Sequence, residues 1–190
     1  MNIGLYFGSF NPIHIGHLIV ANVMAEYLER VWFVISPRNP FKQSKSLLHE
    51  FDRYEMVEKA IQDNHNLQIS DVEFSMPKPN YTIDTLTYLS EKHSQHEFKL
   101  ILGSDNLVQF TKWKNYQSIL DNYGLLVYPR PKGVETELIH HPRVTLIDAP
   151  LLDISASFIR KSIREKRSIR YLVPEVVEKY IEKQGYYLQS

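Results

Sequence analysis

Two histidines three residues apart, His14 and His17, follow a stretch of small and turn-forming residues, Gly8-Ser9-Phe10-Asn11-Pro12. Small residues let a backbone approach an anion, and a helix start adds unpaired N–H groups and the positive end of its dipole. At a helix start the two imidazoles share a face. That combination suits chemistry at a phosphate, where charge must be stabilised as it develops. The same residues also make an ordinary turn, because Gly, Asn and Pro mark turns everywhere. Their place directly after the apolar run Ile3–Phe7 favours the phosphate reading. No Gly-Lys-Ser/Thr follows, so this is not a P-loop, and it lacks the three glycines of the dinucleotide fingerprint. A metal reading of the pair lacks a Glu or a further His beside it.

Two further pieces carry anion or nucleotide chemistry. In Ile154-Ser155-Ala156-Ser157-Phe158-Ile159-Arg160, hydroxyls at a helix start with an arginine one turn in make a second anion cradle. Alone it is also an ordinary N-cap with a solvated cationic face, continued by Lys161, Arg164, Lys166, Arg167 and Arg170. Gly103-Ser104-Asp105-Asn106-Leu107 follows the apolar Leu100–Leu102, and a carboxylate there suits a ribose hydroxyl or a bound cation. The alternative is a helix N-cap at Ser104 or Asp105. Trp113 and Tyr116 offer faces for a planar heterocycle or serve as core aromatics. The core reading is favoured for Tyr116.

These residues need a frame. Apolar runs at Asn2–Phe7, Val31–Ser36, Leu67–Asp71, Phe98–Leu102, Gly124–Tyr128 and Val144–Asp148 read as strands buried on both faces of a parallel sheet. Between them, Leu18–Leu28 is rich in helix formers, Phe51, Tyr54, Val57 and Ile61 recur at helical spacing, and so do Ile83, Leu86 and Leu89. The alternation predicts an α/β doubly wound sheet, whose ligands bind beyond the carboxyl ends of the strands. After Asp148 the pattern is helical, with Ser155 or Ser157 as a cap, Pro174 in the first turn of a last helix and Gly185 as its stop. The Pro-rich pieces Pro37–Pro40 and Met76–Asn80 read as loops at the ligand edge.

The chain has 190 residues, with 43% hydrophobic and 23% charged. That fits one α/β domain of roughly 100–200 residues. Zero net charge and a pI near 7.1 leave no global basic field for a nucleic-acid backbone. The absence of cysteine excludes disulfides, thiolate nucleophiles and cysteine-ligated zinc. No basic-then-apolar leader and no apolar run near the ~20 residues of a membrane span is visible, so a cytoplasmic protein is expected.

Taken together, the motifs resemble those of the bacterial nicotinate-mononucleotide adenylyltransferase family of the nucleotidylyltransferase superfamily. The first loop is similar to Gly-[Gly/Ser]-[Thr/Ser]-Phe-[Asp/Asn]-Pro-x-His-x-Gly-His, and Ile154–Arg160 to Ile-Ser-Ser-Thr-x-Ile-Arg. Gly103-Ser-Asp-x-Leu with Trp113, Tyr81–Leu86, Tyr128-Pro129-Arg130-Pro131 and Tyr171-Leu172-Val173-Pro174 with Tyr180-Ile181 match in order and spacing. The likeness covers essentially the whole chain.

The resemblance implies a single 1–190 domain, a Rossmann-like core over 1–150 with a small C-terminal helical part over 151–190. It implies that ATP and nicotinate mononucleotide react to nicotinate adenine dinucleotide and pyrophosphate, with Mg²⁺ entering as Mg-ATP and no covalent enzyme intermediate. His14, His17 and Arg160 would be catalytic, with His14 and His17 at the transferring phosphate. Gly8, Ser9, Phe10, Lys42, Gly103, Asp105, Ser155 and Ser157 would hold ATP, and Thr82, Trp113 and Arg130 the acceptor. Three departures stand out: Phe41 for a usual histidine, Ala156 for a serine, and Asn11 for the commoner Asp. Rival readings are an amide-preferring or phosphopantetheine adenylyltransferase and, from another class, a non-catalytic nucleotide-binding module. Neither magnesium ligands nor an oligomeric state are assigned by the sequence.

Overall fold

The computed structural model describes residues 1–37, 46–131 and 136–188. Six strands form one sheet: β1 (Asn2–Gly8), β2 (Arg30–Ile35), β3 (Leu67–Ser70), β4 (Glu97–Gly103), β5 (Leu125–Tyr128) and β6 (Val144–Leu146). Their order is β3-β2-β1-β4-β5-β6, and every pairing is parallel. The reversal of winding falls between β1 and β4, the switch point beyond which a doubly wound sheet binds its ligand. All six expected strands are present, with ends shifted by one or two residues.

The connecting helices are α1 (Ile15–Met24), α2 (Glu50–Ile61), α3 (Thr82–Lys92), α4 (Ser104–Gln109) and α5 (Tyr116–Asn122), followed by α6 (Ala156–Arg164) and α7 (Glu175–Gln184). They cover two apolar layers, one on each face of the sheet. One layer joins Tyr6, Phe33 and Met24 to Ile159, Val177 and Ile181 of the last two helices. The other joins Leu5, Leu86, Phe110 and Ile119. The C-terminal helices therefore share a core with β1 and α1. Ile15 N–H donates to the Leu172 carbonyl at 2.9 Å, and Tyr180 Oη donates to Glu55 Oε2 at 2.7 Å, fastening that region to α1 and α2.

Four expectations need correcting. The first helix spans Ile15–Met24 rather than Leu18–Leu28, because His14 already caps it and Gly16 is accommodated in its first turn. On α2 the buried face is Arg53, Met56, Val57 and Ile61, whereas Phe51 is 61% exposed. Pro174 is the N-cap of α7 rather than a first-turn residue, and Gly185 ends the helix at φ 67°, a left-handed conformation glycine adopts freely. Gly103, not Ser104 or Asp105, caps α4.

Candidate active site

Between β1 and α1 the chain makes a compact loop whose packing explains its residue types. A Cβ on Gly8 would lie 2.7 Å from the Phe10 ring, so glycine is required there. Phe10 itself has φ 44°, a strained conformation for a bulky side chain. Its ring is held edge-on against Tyr6, Phe33 and His17, within about 5.5 Å of each. Phe10 is thus a core pillar. The Asn11–Pro12 bond is cis.

His14 is the extended N-cap of α1, and His17 sits in its first turn with the two rings stacked at 3.6 Å. The His14 backbone N–H donates to His17 Nδ1 at 3.3 Å. A neutral His17 therefore carries its proton on Nε2 and presents a donor. Burial lowers the His14 pKa to about 4, and Arg130 adds to the shift. His17 is likewise held well below its ordinary value by burial, then by His14 and Arg130. Both rings are therefore neutral at neutral pH, because burial disfavours the charged form. His14 Nδ1 is buried with no partner among the described residues.

Arg130, just beyond β5, faces this pair. Tyr6, His14, His17, Tyr128 and Arg130 surround one cavity of about 10 Å³, room for about one water. The Arg130 main-chain N–H donates to Ser104 Oγ at 3.0 Å, and its Nη2 donates to Tyr128 Oη at 3.0 Å. Its Nε lies 3.7 Å from Asp105 Oδ1. A Cβ at Gly103 would crowd that carboxylate and stand 3.1 Å from the Tyr128 ring. Asp105 itself is exposed at the rim of α4.

The second cradle comes from the far end of the chain. Ser155 caps α6, its Oγ accepting from Phe158 N–H at 3.2 Å, which leaves the hydroxyl proton available to an anion. Arg160, one turn in, donates through Nη1 to the Asn11 carbonyl at 2.7 Å and through Nη2 to Ser157 Oγ at 3.3 Å. Its Nε is buried and unpartnered among the described residues. The two cradles thus meet at Asn11. Ala156, which stands where the resemblance expects a serine, is the first residue of α6. Lys161, Arg164, Lys166, Arg167 and Arg170 are all exposed, Lys161 and Arg167 pairing with Glu165.

Thr82 opens α3, and the adjoining turn is drawn to the segment after Trp113: Lys114 Nζ lies 2.9 Å from Asp84 Oδ2 and 4.5 Å from the centre of the Tyr81 ring. Trp113 is half-buried against Phe110 at 5.4 Å, and Tyr116 packs on the same ring. Thr82 and Trp113 thus sit on two segments tied together, whereas the contacts of Arg130 are with the histidine cavity. Lys42 and Phe41 lie outside the described residues.

Sequence reasoning missed three buried polar side chains. Arg53 is fully buried, yet each of its guanidinium bonds runs to a main-chain carbonyl: Leu48 at 3.0 Å, Ser9 at 2.6 Å, Ser36 at 2.9 Å and Pro37 at 2.9 Å. Glu73 is buried, accepts from Thr85 Oγ1 at 2.8 Å, and has its pKa raised by burial. Tyr187, 6% exposed, donates to Asn11 Oδ1 at 2.8 Å. None has a local signature, because charged and terminal residues ordinarily read as solvated. Among the described residues no three His, Cys, Asp or Glu side chains group to hold a metal.

The parallel sheet in this order, with a histidine pair beyond the carboxyl end of β1, makes this a doubly wound α/β protein, and the sequence model of the cytidylyltransferase-like family matches residues 5–162. A protein of Cytophaga hutchinsonii named "Probable nicotinate-nucleotide adenylyltransferase" is 57% identical over 189 residues, covering 98% of each chain. A Flavobacterium psychrophilum protein of the same name is 47% identical, covering 98% of this chain and 99% of its own. The chain belongs to the nicotinate-nucleotide adenylyltransferase family. In fold it is similar to the solved Plasmodium falciparum nicotinic acid mononucleotide adenylyltransferase complexed with NaAD, at a TM-score of 0.83 and 24% identity, covering 100% of this chain and 98% of that one.

Proposed function

We propose that the loop Gly8–His17, Arg130 and the Ser155–Arg160 cradle form the active site in which the protein transfers AMP from ATP to nicotinate mononucleotide. The observation that supports this most is the meeting of His14, His17, Arg130 and Arg160 around one end of the sheet. In the reaction a phosphate oxygen of the mononucleotide attacks the α-phosphorus of ATP. A new P–O bond forms, the bond to the bridging α,β oxygen breaks, and pyrophosphate leaves with the electron pair. Nicotinate adenine dinucleotide is the other product. No protein nucleophile is needed, so catalysis is positioning and charge stabilisation.

In this reading His17 donates its Nε2 proton to the transferring phosphate and His14 flanks it. Ser155, Ser157 and Arg160 hold the leaving phosphates, together with Lys42 and the main chain of Gly8, Ser9 and Phe10. Arg130 beside the histidines brings the acceptor phosphate to the α-phosphorus, which explains why it stands apart from Thr82 and Trp113. Those two receive the pyridine end, and Gly103 and Asp105 the ribose region. Mg²⁺ arrives on the triphosphate as part of the substrate, with phosphate oxygens and water among its ligands. No helix among the described residues is long and apolar enough to cross a membrane, and we place the reaction in the cytoplasm.

One assay tests the reading. The protein is incubated with Mg-ATP and, in turn, nicotinate mononucleotide, nicotinamide mononucleotide or phosphopantetheine, and pyrophosphate and adenylylated product are measured. Fastest turnover with the acid mononucleotide is expected. No turnover with any acceptor would sink the enzyme reading, and a clear preference for the amide would overturn the acceptor assignment.

A further inference from the structure

The phosphate loop is gripped on its buried side by two residues that belong to no cradle. We propose that Arg53 and Tyr187 are positioning residues for the triphosphate site, Arg53 setting the loop through the Ser9 carbonyl and Tyr187 through the Asn11 side chain. The inference rests on the phosphate reading of that loop.

A fully buried guanidinium ordinarily takes a carboxylate partner. Arg53 takes main-chain carbonyls instead, from the loop after β1 (Ser9), the turn after β2 (Ser36 and Pro37) and the entry to α2 (Leu48). It therefore fixes two strand-end segments against each other at the edge where the nucleotide lies. By drawing those carbonyls inward it turns the neighbouring peptide groups so that N–H dipoles can face outward. A buried cation under the loop also favours an anion above it.

Tyr187 works from the other side. Its backbone sits at φ 64°, a costly conformation for a tyrosine, while its ring is buried in the core layer shared with Phe10 and Ile13. The hydroxyl donates to Asn11 Oδ1, which also accepts from Leu48 N–H at 3.3 Å, while Asn11 Nδ2 donates to the Ser46 carbonyl at 2.9 Å. An amide satisfies this set because it both donates and accepts, and an ionised carboxylate could not bond Ser46. The Asn11 carbonyl in turn receives Arg160. A hydroxyl near the end of the chain thereby helps aim an arginine of the second cradle, through a residue that would otherwise pass as a turn former.

The test uses binding, so that it needs no turnover. Titration calorimetry of the full chain measures inorganic tripolyphosphate and nicotinate mononucleotide separately, for wild type, Arg53→Lys and Tyr187→Phe. Losing a hydrogen bond in the supporting network should weaken tripolyphosphate about 5-fold in Tyr187→Phe, and losing the fork about 10-fold in Arg53→Lys. The mononucleotide should bind within about 2-fold of wild type in both, since its pyridine end lies on α3 and the Trp113 segment. Equal losses for the two ligands would reduce both residues to general supports and overturn the proposal, as would unchanged tripolyphosphate binding. If Arg53→Lys does not fold, Tyr187→Phe, which removes a single oxygen, decides the matter. Wild type that fails to bind tripolyphosphate would refute the phosphate reading itself, whereas wild-type binding with unaffected variants refutes the positioning roles alone.

Discussion

Burying the His14 imidazole imposes a pH-dependent cost on the fold. Its ring is 3% exposed, with a buried Nδ1 and an arginine nearby, and burial holds its pKa at about 4. The unfolded chain returns it to about 6.5. Between these values the unfolded state binds a proton that the folded state does not, so stability rises with pH through that window, is complete above it, and falls away as pH drops toward 4. For this group alone the fold should lose about 2 kcal/mol between pH 7 and pH 5. Urea unfolding of wild type and His14→Gln at the two pH values checks it: the variant should show a shallower loss, and parallel losses would assign the acid sensitivity elsewhere. His17 is shifted in the same direction, so the double variant should be flatter still. In the proposed site, bound Mg-ATP would oppose the effect, because an anion beside the imidazoles favours their protonated forms.

At the scale of elements, the proposed site rests on helix starts, and α6 makes the point most directly. Ser155 accepts the Phe158 N–H as a conventional cap and still has a proton to give, so in the proposed site one hydroxyl would serve both the helix and the anion. Ser155→Ala should therefore lower stability by about 1 kcal/mol and Ser155→Gly by only a few tenths. Denaturant midpoints for the two variants separate these values, and a Gly variant as unstable as Ala would show that the hydroxyl does something other than cap.

Much at this scale was legible from the chain. The six apolar runs, the helical spacing of Ile83, Leu86 and Leu89, and the stop at Gly185 reappear as β1–β6, the buried face of α3 and the end of α7. The face of α2 was misread, because periodicity counts Phe51 as apolar and Arg53 as polar, while the loops above them need a cation more than a ring. Arg53, Glu73 and Tyr187 were invisible because their partners are main-chain groups or side chains on other elements that only the fold brings together. The histidines were legible because their spacing belongs to one local turn. Their neutrality was not, since it depends first on burial in the folded chain and only then on Arg130, more than a hundred residues away.

For the whole molecule, the question is whether the last two helices are an appendage or part of the folding unit. Ile181 of α7 is 2% exposed and lies in the same apolar layer as Tyr6, Phe10, Ile13 and Met24, which support the histidine loop. Arg160 ties α6 to Asn11, Tyr180 ties α7 to α2, and Leu172 receives the first N–H of α1. Contacts of this kind make the helices part of the wall that shapes the loop. Removing buried methylenes there should then destabilise the entire protein. Ile181→Ala is expected to cost about 3 kcal/mol of global stability. Native-state hydrogen exchange reads where that loss is felt: the slowest amides of β1 should lose protection by the same free energy as those of α7. If β1 kept its protection while α7 alone exchanged faster, the C-terminal helices would be a separately unfolding unit, and the loop after β1 would not depend on them for its shape.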